Sequence, residues 1–285
     1  MGFIGTLEKI DRRHLIIVTL ITIVLPLLFP SVFRQPIVVT DMTQDFYDYL
    51  LTVESGDVVM CSSTMTAAVS WPECGYTVIE VYKWLLERGA KIIIASAIPT
   101  TPLLLDSLVI PSLADAGGVY GENYVNLGYV PGGTAGYGVK FAIDPRTALS
   151  TDYFGTPLED IPLMQEIFQQ MEDEGKRFME IPKIICHTGI MYTEIFMWVM
   201  PYRKTAIALF TTMLAMLHQP HYEAGIVDGC LYGPRGGAEL ESILLEEAGP
   251  TTALVSALSL QHTSLFIFWI IGNLIFWSKR LKGGK

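Results

Sequence analysis

Hydrophobic positions fall into two patterns along this chain. Near each end lies a long run without charge: Leu15 to Phe33 contains LIIVTLITIVLPLLFP, and Ala248 to Ser278 contains SLFIFWIIGNLIFW. Each is long enough to cross a bilayer as a helix. Between them, short continuous apolar stretches alternate with amphipathic ones. Strands buried on both faces of a parallel sheet give the first kind, and helices packed on that sheet give the second.

The pattern predicts strands over 37–39, 58–61, 91–95, 123–127, 183–186 and 206–210. It predicts helices over 43–53, 72–87, 101–113, 163–174, 192–200 and 238–248, the last running on towards the second apolar run. In the first of these helices Phe46, Tyr49, Leu50 and Val53 share a face; in the second Val78, Val81, Tyr82, Leu85 and Leu86 do. Residues 62–71 read as a polar loop, 144–162 as irregular chain broken by Asp144-Pro145, Gly155-Thr156-Pro157 and Ile161-Pro162, and 229–237 as a glycine-rich turn. The expected fold is α/β: a Rossmann-like three-layer domain with a mainly parallel sheet, flanked by N- and C-terminal transmembrane helices.

Flanking charge orients the two spans. Lys9, Arg12 and Arg13 precede the first, Lys279, Arg280, Lys282 and Lys285 follow the second, and Arg34 alone lies close on the other side. The positive-inside rule then puts both termini in the cytoplasm. The expected divisions are a cytoplasmic tail over 1–13, spans over 14–33 and 251–278, an extracytoplasmic α/β domain over 34–250, and a basic tail over 279–285. A cleaved signal peptide is the alternative for the first span. Its apolar run exceeds the usual signal core and ends among prolines and large residues, which favours an uncleaved anchor.

A net charge of −10 excludes the basic footprint of a nucleic-acid binder. The cysteines are Cys61, Cys74, Cys186 and Cys230. Outside the cytoplasm they have three ways to pair as two disulfides, and buried free thiols are the other reading. No zinc spacing, GxSxG elbow, Walker A motif or GxGxxG after the first strand occurs, so neither a metal nor a cofactor is expected. His218, His221 and Glu223 read as a loop rather than a metal set, with Pro220 interrupting them; Asp152, Glu159 and Asp160 read as a solvated turn. Ser62, Ser63, Cys61 and His187 stand at strand ends, without a spacing that assigns them a reaction.

The stretch YGENYVNLGYVPGGTAGYG over 120–138 gives strand, glycine loop and helix start in that order, with Thr134 as the expected cap. Such a junction presents free N–H groups to an anion. The turn around Arg235 is expected at the same carboxyl edge of the sheet, which makes Asn126, Gly132, Gly133, Thr134 and Arg235 a candidate ligand site. In the competing reading Arg235 pairs with Glu239, four residues on, and fastens its own loop.

KIDRRHLIIVTLITIVLPLLFP, YGENYVNLGYVPGG, TDYFGTPLEDIP, RGGAELE and IIGNLIFWSKR, in that order, resemble an uncharacterised family of prokaryotic membrane proteins. The resemblance implies one span at each end and an α/β domain between, and it implies no activity. Family members carry an acidic, proline-containing stretch after the strand ending at Cys61, where this chain has Ser62-Ser63-Thr64-Met65-Thr66. The leading expectation is a non-catalytic, membrane-anchored subunit whose partners are the lipid bilayer and copies of itself or other membrane subunits. The alternative is an extracytoplasmic domain that binds a small anion, or acts as an enzyme, at the carboxyl edge. Gly272 and Asn273, inside the second apolar run, point to helix packing.

Overall fold

The computed structural model describes residues 10–189, 194–245 and 248–283. Two compact units divide the chain: Val39–Leu240, and the terminal segments Met1–Val38 with Glu241–Lys285.

The unit Val39–Leu240 is built on a six-stranded sheet, every pairing parallel, in the order β3-β2-β1-β4-β5-β6. The strands are β1 (Val58–Thr64), β2 (Lys91–Ser96), β3 (Tyr124–Tyr129), β4 (Ile184–Gly189), β5 (Thr205–Phe210) and β6 (Gly229–Tyr232). β1 and β4 are buried along their whole length, so both alternating sets of side chains are covered. That explains their unbroken apolar runs. On one face Val58, Met60, Ile93, Ala95, Val125, Leu127, Ile185 and Ala206 pack with Tyr137, Phe141, Trp198 and the helix Pro162–Glu174.

The structure departs from the sequence reading at definite places. Ile37-Val38-Val39 is not a strand; Pro36 precedes it and Val38 is 77% exposed. β1 runs on through Ser62, Ser63 and Thr64, the start of the expected loop, because these small hydroxyls find partners inside the fold. The helix expected over 101–113 divides at Val109 into Thr101–Leu108 and Ile110–Asp115, with Pro111 in the first turn of the second. The expected turn over 229–237 is strand β6 followed directly by the helix Gly233–Leu244. Gly229 is needed in that strand: a Cβ there would lie 2.3 Å from the Phe46 backbone. All four cysteines are free and buried, the second of the two readings weighed. Tyr192, inside an expected helix, lies outside the described residues.

In the terminal unit, helix Arg12–Leu28 packs against the long helix Pro250–Gly283. Among the described residues one helix is long and apolar enough to cross a membrane, over Pro250–Leu281. Helix Arg12–Leu28 has 17 residues, followed after Phe29 by the short helix Pro30–Phe33.

Candidate functional site

The strand order reverses direction between β1 and β4. The chain leaves β1 for β2 and β3 on one side, then returns to β4 and continues outward on the other. In open parallel sheets the crevice beyond the carboxyl ends at such a reversal is where ligands bind, since the connections on either side diverge there.

Four polar side chains converge at this point. Ser62 near the end of β1 and His187 on β4 are register partners on adjacent strands. The Ser62 hydroxyl lies 2.9 Å from Glu194 Oε1, to which it donates, and 2.8 Å from the Tyr137 hydroxyl. His187 Nδ1 stands 3.8 Å from the other carboxylate oxygen, Oε2. Ser62 is fully buried, and Glu194 and His187 are 1% and 3% exposed. Burial pushes the Tyr137 phenol upward, with the Glu194 charge adding to it, so the ring keeps its proton and serves as a donor. The carboxylate, rather than the imidazole, thus receives the serine proton, an arrangement able to hold or accept a proton from a hydroxyl.

Two π-helical segments, Thr134–Lys140 and Ile195–Val199, carry Tyr137 and follow Glu194. They meet closely: Trp198 donates its indole N–H to the Gly138 carbonyl at 3.1 Å, and a Cβ on Gly138 would fall 1.2 Å from the Met197 methyl. π-Helical turns widen the ladder locally and recur at functional sites. Beyond His187, the Phe210 ring is 5.1 Å away and stacks at 3.8 Å on His218. Among the described residues no group of histidine, cysteine or carboxylate side chains has the convergence a metal requires.

The residues singled out from sequence are distributed differently. Gly132 and Gly133 both adopt positive φ and lead into the helical segment starting at Thr134, with Gly133 rather than Thr134 at the cap position. This loop is exposed beside β3. Asn126 is buried within β3; its Oδ1 accepts the Gly128 N–H at 3.1 Å, and its Nδ2 has no hydrogen-bond partner among the described residues. Arg235 lies in the first turn of the helix after β6. β3 and β6 are the two opposite edge strands, five interstrand spacings or about 24 Å apart, so the glycine loop and Arg235 do not converge on one small anion.

Arg235 instead donates to Glu239 Oε1 at 2.8 Å, as the competing reading had it. Glu239 also accepts the Thr40 N–H and the hydroxyls of Thr40 and Thr43, which holds the start of helix Asp41–Leu51. Together these residues line a cavity of about 200 Å³. Asp152 is 5% exposed rather than solvated: it accepts the N–H groups of Phe154 and Thr156 and the Tyr120 hydroxyl, fixing its own turn.

Sequence reasoning named Ser62 and His187 only as strand-end residues and missed Tyr137 and Glu194. A signal was present for the first pair. Val58, Met60 and Ser62 continue one face of β1, and Ile185 and His187 the same face of β4. Nothing in residue spacing connects them to Glu194.

Comparison with known proteins returned no matching family model, no matching curated protein and no matching solved structure.

Proposed function

We propose that this protein is a membrane-anchored α/β domain that binds a small polar ligand at the β1/β4 crevice. One observation carries the reading: a buried carboxylate, Glu194, is held by Ser62 beside His187 where the strand order reverses. Burying a carboxylate is costly unless partners compensate it, and apolar residues would pack this position as well or better for stability alone. Mild-detergent purification followed by native mass spectrometry tests the idea. A co-purifying small molecule lost from both Ser62→Ala and Glu194→Gln supports it; wild type and variants with identical ligand-free masses sink it.

The anchor in this reading is two-pass. Helix Pro250–Gly283 forms one span, and helix Arg12–Leu28 with its continuation to Phe33 the other, both termini cytoplasmic and the sheet-bearing unit outside. Flanking lysines and arginines support that orientation. Membrane-impermeant thiol labelling distinguishes the sides: a cysteine introduced at Glu159 is reached from outside and one introduced at Leu281 is not. The reverse pattern overturns the compartment.

A second reading, assembly with copies of itself or other membrane subunits, is favoured by Gly272. A Cβ added there meets nothing within 4 Å, which leaves a small-residue notch open on an apolar helix. A strictly monomeric mass in native nanodiscs removes this reading.

A further inference from the structure

Arg12 and Arg13 begin the helix Arg12–Leu28, and Lys279 and Arg280 stand close to the end of the helix Pro250–Gly283. The first helix and its continuation to Phe33 lead in sequence to Thr40, whose N–H binds Glu239, and Glu241, two residues further on, caps the first turn of the second helix. The two pack against one another, and the short helix Pro30–Phe33 packs on the long one as well. The end of the first helical segment and the start of the second are thus tied near one another, so the packed pair runs antiparallel and its basic ends lie on the same side.

All four basic side chains are exposed, and none forms an ion pair among the described residues. Asp11, which directly precedes Arg12 in the chain, accepts the Arg13 backbone N–H at 2.8 Å. The Arg280 guanidinium lies 5.6 Å over the Trp277 ring, an aromatic–cation pair suited to the boundary between acyl chains and headgroups. No acidic residue occurs from Pro250 to the end of the chain, although the chain as a whole carries −10. Positive charge is therefore concentrated at this one end of the helix pair.

From this placement we propose that the paired helix ends form a binding surface for the phosphate headgroups of anionic phospholipids, with Arg12, Arg13, Lys279 and Arg280 as the contacts. The proposal rests on the membrane-anchored reading and adds a lipid preference to it. An ammonium or guanidinium near an anionic leaflet gains attraction that falls off within a Debye length, so four of them at one level act together where scattered charges would not. Guanidinium groups add bidentate contacts to phosphate oxygens. The acidic sheet-bearing unit is repelled by the same surface, which reinforces the orientation.

The test uses the full-length protein in nanodiscs of mixed phosphatidylcholine and phosphatidylglycerol, with retained lipids counted by native mass spectrometry. Wild type is expected to keep phosphatidylglycerol in preference to phosphatidylcholine, with roughly five-fold of the preference lost per basic residue removed. Combining Arg12→Gln, Arg13→Gln, Lys279→Gln and Arg280→Gln abolishes the preference, and Arg12→Lys with Arg13→Lys retains it. Equal retention of both lipids by wild type, or an unchanged preference in the quadruple variant, overturns the proposal. So does displacement of the retained lipid by millimolar inorganic phosphate, which would mark a site for the free anion. Alkaline carbonate extraction separates the two failures: wild type released from membranes refutes anchoring itself, whereas a chain that resists extraction without lipid preference refutes only the headgroup surface.

Discussion

The Glu241 carboxylate accepts both the backbone N–H and the hydroxyl of Thr252, each at 2.7 Å, and takes the Thr251 N–H at 2.7 Å on its other oxygen. These are N–H groups of the first turn of the helix Pro250–Gly283, which have no partner within that helix. A carboxylate there also complements the helix dipole. Gly249 makes room for it, since a Cβ at that position would lie 2.7 Å from Glu241 Cδ.

Glu241→Ala removes this cap and is expected to destabilise the protein by about 1–2 kcal/mol. Glu241→Gln, which retains one acceptor oxygen, costs less. Thermal unfolding of the detergent-purified chain, followed by tryptophan fluorescence, measures both. Equal melting temperatures for wild type and Glu241→Ala would show that the cap contributes nothing.

Gly136 and Gly138 separate two kinds of close approach. A Cβ on Gly136 would stand 1.9 Å from the Pro131 carbonyl oxygen, which is backbone. The conflict at Gly138 is with the flexible tip of Met197. Gly136→Ala is expected to cost about 3 kcal/mol or more, and Gly138→Ala roughly 1–2 kcal/mol. Shortening the neighbour by Met197→Ala should recover part of the second loss and none of the first. A double-mutant cycle on melting temperatures checks the coupling.

Much of the fold was legible because the buried parallel strands are short apolar runs, each set off by glycine, proline or a polar turn. Val58–Thr64, Lys91–Ser96 and Thr205–Phe210 stand out in this way. β6 did not, since Gly229 and Gly233 at its ends resemble a turn; packing against Phe46 makes a strand of it. The false strand at Ile37 had the right residue types but pairs with neither edge strand, β3 or β6. Strand order was hidden for a different reason: local pattern places every βα junction at the carboxyl edge without saying which strands are neighbours. Pairing the glycine loop with Arg235 required β3 and β6 to be close, and the structure puts them at opposite edges. The Ser62–Glu194 contact joins residues 132 positions apart and leaves no trace in spacing.

Burial pushes the thiols of Cys74 and Cys230 up to about 12, and the hydrogen bond with Cys61, with burial added to it, raises that of Cys186. Thiolate, the reactive form, is scarce in each at neutral pH. A thiol-specific chromogenic reagent at pH 8 should therefore label none of these three cysteines in the folded protein and all of them after denaturation. Rapid labelling of any one in the native state would place it at an accessible surface.

Arg235 and Glu239 differ in what their loss should do. The Arg235 side chain is 70% exposed, and Thr40 and Thr43 still hold Glu239 without it, so Arg235→Ala is expected to cost at most about 1 kcal/mol. Burial alone would raise the Glu239 carboxyl, but the bonds from Thr40, Thr43 and Arg235 outweigh it and hold the group below its ordinary 4.5. A folded value below the unfolded one favours folding while the group is ionised. That contribution is fully present above 4.5 and is lost as pH falls through the lower folded value. The stability gap between wild type and Glu239→Gln should therefore be constant from pH 7 to 5.5 and narrow on further acidification. A gap that widens in acid contradicts the assignment.

His218 supplies the opposite type of group with the same direction of pH dependence. Its ring is fully buried and stacked on Phe210, and burial, with the nearby His187 and His221, lowers its pKa from 6.5 to about 4. Protonation is thus disfavoured in the folded state and allowed in the unfolded chain. The stabilisation is fully present above 6.5, declines as the unfolded imidazole takes up its proton, and is gone once pH passes below about 4. Across that window the loss amounts to at most about 3 kcal/mol. His218→Phe keeps an aromatic ring against Phe210 and removes the titration, so its stability should fall less than that of wild type between pH 6.5 and 4. The ring proton shifts give an independent reading: in the folded protein the His218 resonances should stay at their neutral positions until pH approaches 4. A midpoint near 6.5 would mean that the imidazole meets water, and the stacking on Phe210 could not then be the resting arrangement.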